Sequence, residues 1–351
     1  MTASWRDALV QLGIASMALL ALFWRDAADM ADIWWNSSTF NHCLLIIPIL
    51  WWLVDQRKAE LGKLEPRPWA LPLLWIAAAA FGWLLGDAAG VALARHAGLV
   101  MLLQGSVALL LGPAVTRGLL FPLFYMFFLV PFGEEFVPAL QTITAEMCMW
   151  LLGLTGIPAH IDGIYIATPT ALFRVAEACS GVKFLIAMVA LGALVSNLCF
   201  NSWPRRIAFM AACIFIPIVA NGLRAFATIY IAHRGNLDFA ASFDHVVFGW
   251  VFFGIVIALV MAAGWPFFDR AADAQAIDAD RLKQVTGLPM KPVAAIATLA
   301  AIVLLPIGWS TYIANRASPV PAGPGAPRQA RAAGPGRGRS GAGQWPEVAS
   351  E

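Results

Sequence analysis

Three segments of the sequence place a reactive side chain beside a long apolar run. Cys179 lies in the segment EACSG, directly before one run, Arg224 lies inside a second run, and His245 begins a third. A thiolate can attack a peptide carbonyl, an imidazole can move protons, and a guanidinium can stabilise a developing oxyanion. These three side-chain types together are sufficient for acyl transfer.

The setting of Cys179 favours the thiolate, which is the reactive form of cysteine. The residue is expected at the outer end of a spanning helix, where unpaired N–H groups and the helix dipole create a partial positive charge. Lys183 follows one turn further along and would add to this effect. We include Glu177 and Ser180 among the supporting residues. The alternative is a small buried cysteine that only packs.

Arg224 lies inside the apolar run 206–230, where a charged side chain is costly and usually functional. The run places it about 27 Å from the cytoplasmic end, near the outer leaflet and level with Cys179. Asn221 is three residues earlier, on the same helix face. The alternative is an arginine that reaches the outer headgroups only for solvation.

His245 is expected at another outer helix N-terminus, where positive potential favours a neutral ring that can accept a proton. Asp244 could cap this helix, and Gly249, one turn on, leaves room beside the ring. The alternative is a histidine that only anchors the helix at the membrane surface.

The composition indicates that the helices positioning these residues lie in a membrane. Of the 351 residues 60% are hydrophobic and only 13% are charged, against about 25% charged residues in average globular proteins. Mean hydropathy is +0.73. A soluble protein of this size could not bury so much apolar surface, so the apolar runs must face lipid.

Other classes of protein and site fit the composition poorly. The net charge of +2 does not indicate a nucleic-acid partner. The five cysteines lack metal-ligand spacing and do not indicate a disulfide framework, and no metal or organic cofactor is expected. The first apolar run has no small-residue cleavage site behind it, so we expect no cleaved signal peptide.

The sequence predicts an all-α polytopic membrane protein with about eight or nine transmembrane helices. The candidate spans are 8–24, 43–54, 69–86, 97–112, 118–131, 180–200, 206–230, 246–267 and 293–312. A further run, 136–154, contains Gln141 and Glu146 and is interpreted as an amphipathic or re-entrant helix.

Basic residues predict the orientation of the chain, because cytoplasmic loops are enriched in lysine and arginine. All the basic loops between spans fall on one side: Arg57, Lys58, Lys63, Arg67, Arg117, Arg205, Arg206, Arg270, Arg281, Lys283 and Lys291. The opposite loops are acidic: Asp26, Asp29, Asp32, Asp87, Glu134, Glu135, Asp162, Asp238 and Asp244. The three reactive side chains are therefore expected on the outer side.

Two parts of the chain are predicted to differ from the bundle. Short β-prone runs punctuated by glycine and proline predict a small outer β-hairpin over about 155–178. Residues 317–351 are rich in Pro, Gly, Ala and Arg and are predicted to be a disordered tail. The membrane-embedded domain is expected to cover 1–316.

The motifs in their order resemble those of the exosortase/archaeosortase family, with the closest likeness to exosortase A. The EACSG segment around Cys179, the segment NGLR at 221–224, and His245 followed by GWVFF at 249–253 carry the resemblance. The segments TFNH at 39–42, FPLF at 121–124 and VPFG at 130–133 add to it. The resemblance covers about residues 20–268.

The resemblance implies a bacterial inner-membrane enzyme with a catalytic triad, which carries over to Cys179, Arg224 and His245. It implies a cysteine protease or transpeptidase that acts on the periplasmic side. The expected substrates are exported proteins that end in a Pro-Glu-Pro-type (PEP-CTERM) motif, a hydrophobic helix and a basic cluster. A link to exopolysaccharide production is also implied. His42, in the early motif, is kept as a supporting residue.

The chain departs from the family pattern at three points. Lys183 replaces an expected arginine, and Cys43 follows His42 where glycine is more usual. The outer domain often fused to the C-terminus is replaced by the low-complexity tail, so the resemblance leaves open whether the protein acts alone or with a separately encoded periplasmic partner.

Other functions remain open from the sequence. A polytopic binding or transport component of polysaccharide export would use Arg224 and His245 without Cys179, but no inverted repeat supports it. The patterns of other membrane proteases, such as HExxH, do not occur. A purely structural membrane protein would leave the intramembrane Arg224 unexplained.

Overall fold

The chain is described by a computed structural model over residues 3–234, 245–271 and 274–316, without the side chains of residues 178, 245–248 and 314. The helices are α1 Ala3–Leu22, α2 Trp24–Asn36, α3 Cys43–Asp55, α4 Lys58–Leu61, α5 Pro72–Ala89, α6 Ala92–Gly118, α7 Leu120–Tyr125, α8 Val137–Leu154, α9 Val182–Cys199, α10 Trp203–His233, α11 His245–Gly264, α12 Ala279–Leu282 and α13 Pro292–Arg316. The predicted tail 317–351 lies outside the described residues.

Eight of the described helices are long and apolar enough to cross a membrane, which confirms the prediction of an all-α multi-pass membrane protein. They cover Ala3–Leu22, Pro72–Ala89, Ala92–Gly118, Glu134–Leu154, Val182–Cys199, Trp203–His233, Gly249–Phe267 and Pro292–Ile313.

The individual spans differ from the prediction at three places. The predicted spans 43–54 and 118–131 are shorter apolar helices. The second ends at Leu129, because Val130 precedes a proline and therefore avoids the helical conformation. The run 136–154, predicted as an amphipathic or re-entrant helix, is a continuous helix, α8, which with the turn before it also has the length and composition of a span.

The acidic segment predicted as an outer loop is helix α2, so that part of the prediction is wrong. Asp26 is buried there, accepts a hydrogen bond from Trp83 Nε1 at 2.8 Å, and lies 3.2 Å from Arg95 Nε. A buried carboxylate needs such partners, and the folded bundle supplies them from α5 and α6.

The predicted hairpin is a three-stranded antiparallel sheet, β1 His160–Asp162, β2 Tyr165–Ala167 and β3 Leu172–Arg174, in the order β1-β2-β3. The meander therefore has one strand more than the prediction. Ile166 and Val175 pack against α8 and α10 in one apolar cluster with Leu152 and Ile229. This contact fixes the sheet over one end of the bundle, which we call the sheet end.

The basic loops gather at the opposite end of the bundle, as the sequence predicted. Met290 N donates to Pro68 O at 2.9 Å, and Asn201 N donates to Asp269 Oδ1 at 2.6 Å. These hydrogen bonds join loops that are distant in the sequence. The two ends of the bundle therefore differ in charge as well as in structure.

Two of the apolar clusters each join several long helices of the bundle. The larger apolar cluster joins α1, α5, α6 and α13. A second cluster joins α9, α10 and α11 through residues such as Phe184, Cys213 and Phe253. The second group carries Cys179, Arg224 and the start of α11 at His245.

Candidate active site

Cys179 lies in a short 3₁₀ turn, Glu177–Cys179, just before α9 begins at Val182. The sequence predicted this position next to a helix start, although the thiol lies in the turn rather than in the helix. Cys179 is half-buried and packs in the same cluster as Ala225 and Phe226 of α10. The nucleophile candidate therefore lies beside the helix that carries Arg224.

Gly181 separates this turn from α9 and permits the close approach of α10. Its φ is +79°, and a Cβ atom there would lie 2.6 Å from Asn221 Cγ. Only glycine adopts this conformation without strain, and only glycine leaves space for the amide. Ser180, which is buried, begins the helix by accepting a hydrogen bond from Val182 N through Oγ at 3.3 Å.

Asn221 connects the three polar groups of the site. Its Nδ2 donates to Cys179 O at 2.7 Å and to Thr144 Oγ1 at 3.2 Å. Its Oδ1 accepts from Arg224 Nη2 at 3.1 Å. The side chain is 2% exposed. A single buried amide thus positions both the backbone of Cys179 and the guanidinium of Arg224.

Arg224 is 8% exposed, and its Cζ lies 5.7 Å from the centre of the Phe184 ring. Its buried Nε has no hydrogen-bond partner in the described part of the chain. No described carboxylate lies within 4 Å of the guanidinium. The side chain is held inside the protein rather than at its surface, and it retains a donor that a bound group could use.

Helix α11 approaches Arg224 through a glycine. A Cβ atom at Gly249 would lie 3.5 Å from Phe184 Cζ and 3.7 Å from Arg224 Nη1. The rings of Phe184 and Phe253 stack at 4.7 Å. His245 begins α11 one turn before Gly249. The side chain of His245 and the whole of Asp244 lie outside the described residues, so their predicted roles stay predictions.

Lys183 lies in the first turn of α9, with Nζ 5.2 Å from the centre of the Phe184 ring. It lines a cleft of about 470 Å³ together with Glu177, which is exposed. The cleft is formed by the segment before α3, the start of α8 and the start of α9: Ser38, Thr39, Glu134, Val137, Pro138, Gln141, Glu177, Val182 and Lys183.

His42 supports one wall of this cleft rather than lining it. Its Nδ1 donates to Thr39 O at 3.0 Å, and Thr39 lines the cleft. Burial lowers the pKa of the His42 imidazole, and the hydrogen bond to Thr39 opposes this shift to a smaller degree. A neutral ring with its proton on Nδ1 is consistent with both effects.

Helix α8 adds two residues that the sequence did not assign to the site. Thr144 accepts the second hydrogen bond of Asn221, and Gln141 Nε2 donates to Val175 O at 2.8 Å. Gln141 thereby fixes the strand end that leads to Cys179. A polar residue inside an apolar run, such as Gln141, indicates a buried hydrogen bond. The sequence pattern does not indicate which group is its partner.

Residues 34–262 match the family model described as Transmembrane exosortase (Exosortase_EpsH). This match covers well over half of the chain. The chain belongs to the transmembrane exosortase family. No curated protein and no solved structure matches it. The family predicted from the motifs is therefore confirmed, over nearly the same residues.

Exosortases are in general membrane cysteine peptidases or transpeptidases that sort proteins. The match contains Cys179, Arg224 and His245, and it leaves α1 and α13 outside. Those two helices pack on α5 and α6 of this exosortase through Leu19 and Leu299. They enlarge the bundle beside α5 and α6.

Proposed function

We propose that this exosortase cleaves C-terminal sorting signals of exported proteins with Cys179 as its nucleophile. The observation that carries the proposal is the hydrogen-bonded chain from Cys179 O through Asn221 to the buried Arg224, which has no described carboxylate partner. The signals are of the Pro-Glu-Pro type, followed by a hydrophobic helix and a basic cluster. The link to exopolysaccharide production belongs to the same proposal.

The reaction is acyl transfer in two steps. Cys179 Sγ attacks the carbonyl carbon next to the motif, and the thiol proton passes to His245. Arg224 stabilises the oxyanion of the tetrahedral intermediate. The carbon–nitrogen bond then breaks, His245 gives the proton to the leaving amine, and a thioester remains. Water, or an amine or hydroxyl group of an acceptor, attacks the thioester and releases Cys179.

The charge difference between the two ends of the bundle supports the orientation. Basic loops at the opposite end favour a cytoplasmic location for that end, so the sheet end faces the periplasm of a bacterial inner membrane. The hydrophobic helix of the substrate enters from the lipid, while its basic cluster remains at the cytoplasmic surface. This arrangement presents the preceding motif at the level of Cys179. A separately encoded periplasmic partner would bind at the same end.

The test is co-expression with a reporter protein that carries such a signal. Cleavage is measured as a decrease in the size of the reporter. Cys179→Ala should abolish cleavage, and Arg224→Ala should lower its rate about 10²- to 10³-fold, as loss of an oxyanion donor does. His245→Ala should also impair it. Cys199→Ala is the matched control, because Cys199 is also half-buried but ends α9 at the far end of the bundle.

Cleavage that persists in Cys179→Ala, with normal levels in the membrane, would refute the proposed nucleophile. Absence of cleavage with several different signals would favour the alternative, a binding or transport component of polysaccharide export without peptidase activity.

A further inference from the structure

Lys183 differs from several other lysines of the chain in having no described carboxylate partner. Lys58, Lys63 and Lys283 each lie within 2.8 Å of a carboxylate oxygen. No ion pair within 4 Å joins Lys183 to any described carboxylate, and its Nζ lies over the Phe184 ring. Lys183 is also half-buried, so its ammonium group is only partly solvated.

A second cation lies close to Lys183. The guanidinium of Arg224 contacts the same ring, with its Cζ 5.7 Å from the ring centre. Two like charges on one aromatic ring repel each other, and their partial burial reduces the screening by water. A bound anionic group would remove this repulsion and would replace the missing hydrogen-bond acceptor.

The carboxylates of the cleft do not fill this role. Glu134 and Glu177 line the cleft but are exposed, and neither forms an ion pair with Lys183. The cleft therefore has a cation on the α9 wall and solvated carboxylates elsewhere on its lining. Its volume of about 470 Å³ lies in the range of natural ligand pockets, about 300–1,000 Å³.

We propose that Lys183 selects substrates with a carboxylate side chain beside the bond that Cys179 cleaves. This inference rests on the proposed function, since Lys183 lies close in the chain to the proposed nucleophile, which is outside the lining of the cleft. Lys183 follows Cys179 by four residues, across the turn at Gly181, so a carboxylate bound to its ammonium would lie within a few residues of the attacked carbonyl. An acidic motif bound at Lys183 would therefore be held beside the nucleophile.

A competing role for Lys183 is stabilisation of the Cys179 thiolate. The two roles predict different results with altered substrates. A lysine that stabilises the thiolate is required for every substrate. A lysine that binds the substrate is required only for substrates that carry the complementary charge.

The experiment compares three reporters whose motif carries Glu, Gln or Lys at the acidic position. Unaltered exosortase should cleave the Glu reporter about tenfold or more faster than the Gln reporter, since a hydrogen bond between charged groups contributes about that factor. Lys183→Gln should remove this preference, and Lys183→Arg should keep it. Lys183→Glu should reverse it and should cleave the Lys reporter fastest. Lys58→Glu, at the exposed start of α4, is the matched charge control.

Two results would overturn the inference. One is equal cleavage of the Glu and Gln reporters by the unaltered protein. The other is a Lys183→Glu or Lys183→Gln protein that reaches the membrane at normal levels but cleaves none of the three reporters, as loss of thiolate stabilisation would predict. Failure of the proposed function would appear separately, as cleavage that does not depend on Cys179.

Discussion

Asn221 Nδ2 donates a hydrogen bond of 2.7 Å to the carbonyl oxygen of Cys179, so helix α10 holds the backbone at the candidate nucleophile. The same amide accepts from Arg224 through its oxygen. Loss of a buried hydrogen bond to a charged group costs about 1.5–3 kcal/mol. The relative position of thiol and guanidinium therefore depends on one side chain.

Replacement of Asn221 by Asp should slow cleavage about 10- to 100-fold, because the new carboxylate repels Cys179 O and forms an ion pair with Arg224. The measurement is the cleavage rate over a range of reporter concentrations. We expect kcat to fall with little change in KM, since the altered contacts lie at the reacting groups. Asn36→Asp, on the exposed end of α2, is the control. Full activity of Asn221→Asp would show that this amide is not needed for positioning.

Replacement of Gly181 by Ala should abolish cleavage and lower the melting temperature. The left-handed conformation costs about 1–2 kcal/mol for a residue with a Cβ atom, and the methyl group would also displace Asn221. Gly156→Ala is a matched control, because Gly156 has a φ of +73° but no atom within 4 Å of the added Cβ. Its backbone strain should lower stability without loss of cleavage. If Gly181→Ala and Gly156→Ala had equal effects on cleavage and melting temperature, backbone strain alone would explain both, and contact with Asn221 would not be needed.

Replacement of Gly249 by Leu should slow cleavage about tenfold or more. The larger side chain would overpack this contact, at a cost of about 1–3 kcal/mol in stability, and would push α11 away from Phe184 and Arg224. Gly249→Ala should be tolerated, since its Cβ would make ordinary contacts at 3.5 and 3.7 Å. Gly254→Leu is the control on the same helix, at an exposed position with open space. The readout is reporter cleavage at equal membrane levels. A fully active Gly249→Leu would argue against a close approach of α11 to Arg224.

The stability of the exosortase should fall at acidic pH through His42. Burial holds the pKa of this imidazole below its ordinary value of 6.5, so the unfolded chain binds the proton more readily than the folded protein. The neutral ring contributes its full stability above pH 6.5, and this contribution is lost as the pH falls through 6.5 toward the lower pKa of the folded state.

The melting temperature in detergent, measured between pH 7.5 and pH 5.5 (roughly one unit either side of 6.5), tests this expectation. His42→Gln should show a smaller decrease than the unaltered protein. His160→Gln, at an exposed position on the sheet, should behave as the unaltered protein does. A decrease of the same size in His42→Gln would mean that other groups cause the acid sensitivity.

The sequence alone determined the class of the protein and the general position of its site. Long apolar runs must face lipid because their surface cannot be buried in a soluble fold of this size, and they predicted the multi-pass helical bundle. The order of the EACSG, NGLR and His245 motifs predicted the family. The depth of Arg224 along its span placed it level with Cys179, and the structure joins the two through Asn221.

Only the tertiary structure decided which residues from distant parts of the chain meet. The contacts of Asn221 with Cys179 and Thr144, 42 and 77 residues away, depend on the packing of α8 and α10, and no local period encodes such contacts. The sequence predicts a loop around Asp26, because the partners that allow its burial in a helix, Trp83 and Arg95, are supplied by other helices. Local sequence sets the hydrophobicity and turn preferences of each element. Partners for buried polar groups come from other helices of the assembled bundle. The cleft beside Lys183 is likewise formed by segments that are distant in the sequence, so the sequence did not predict it.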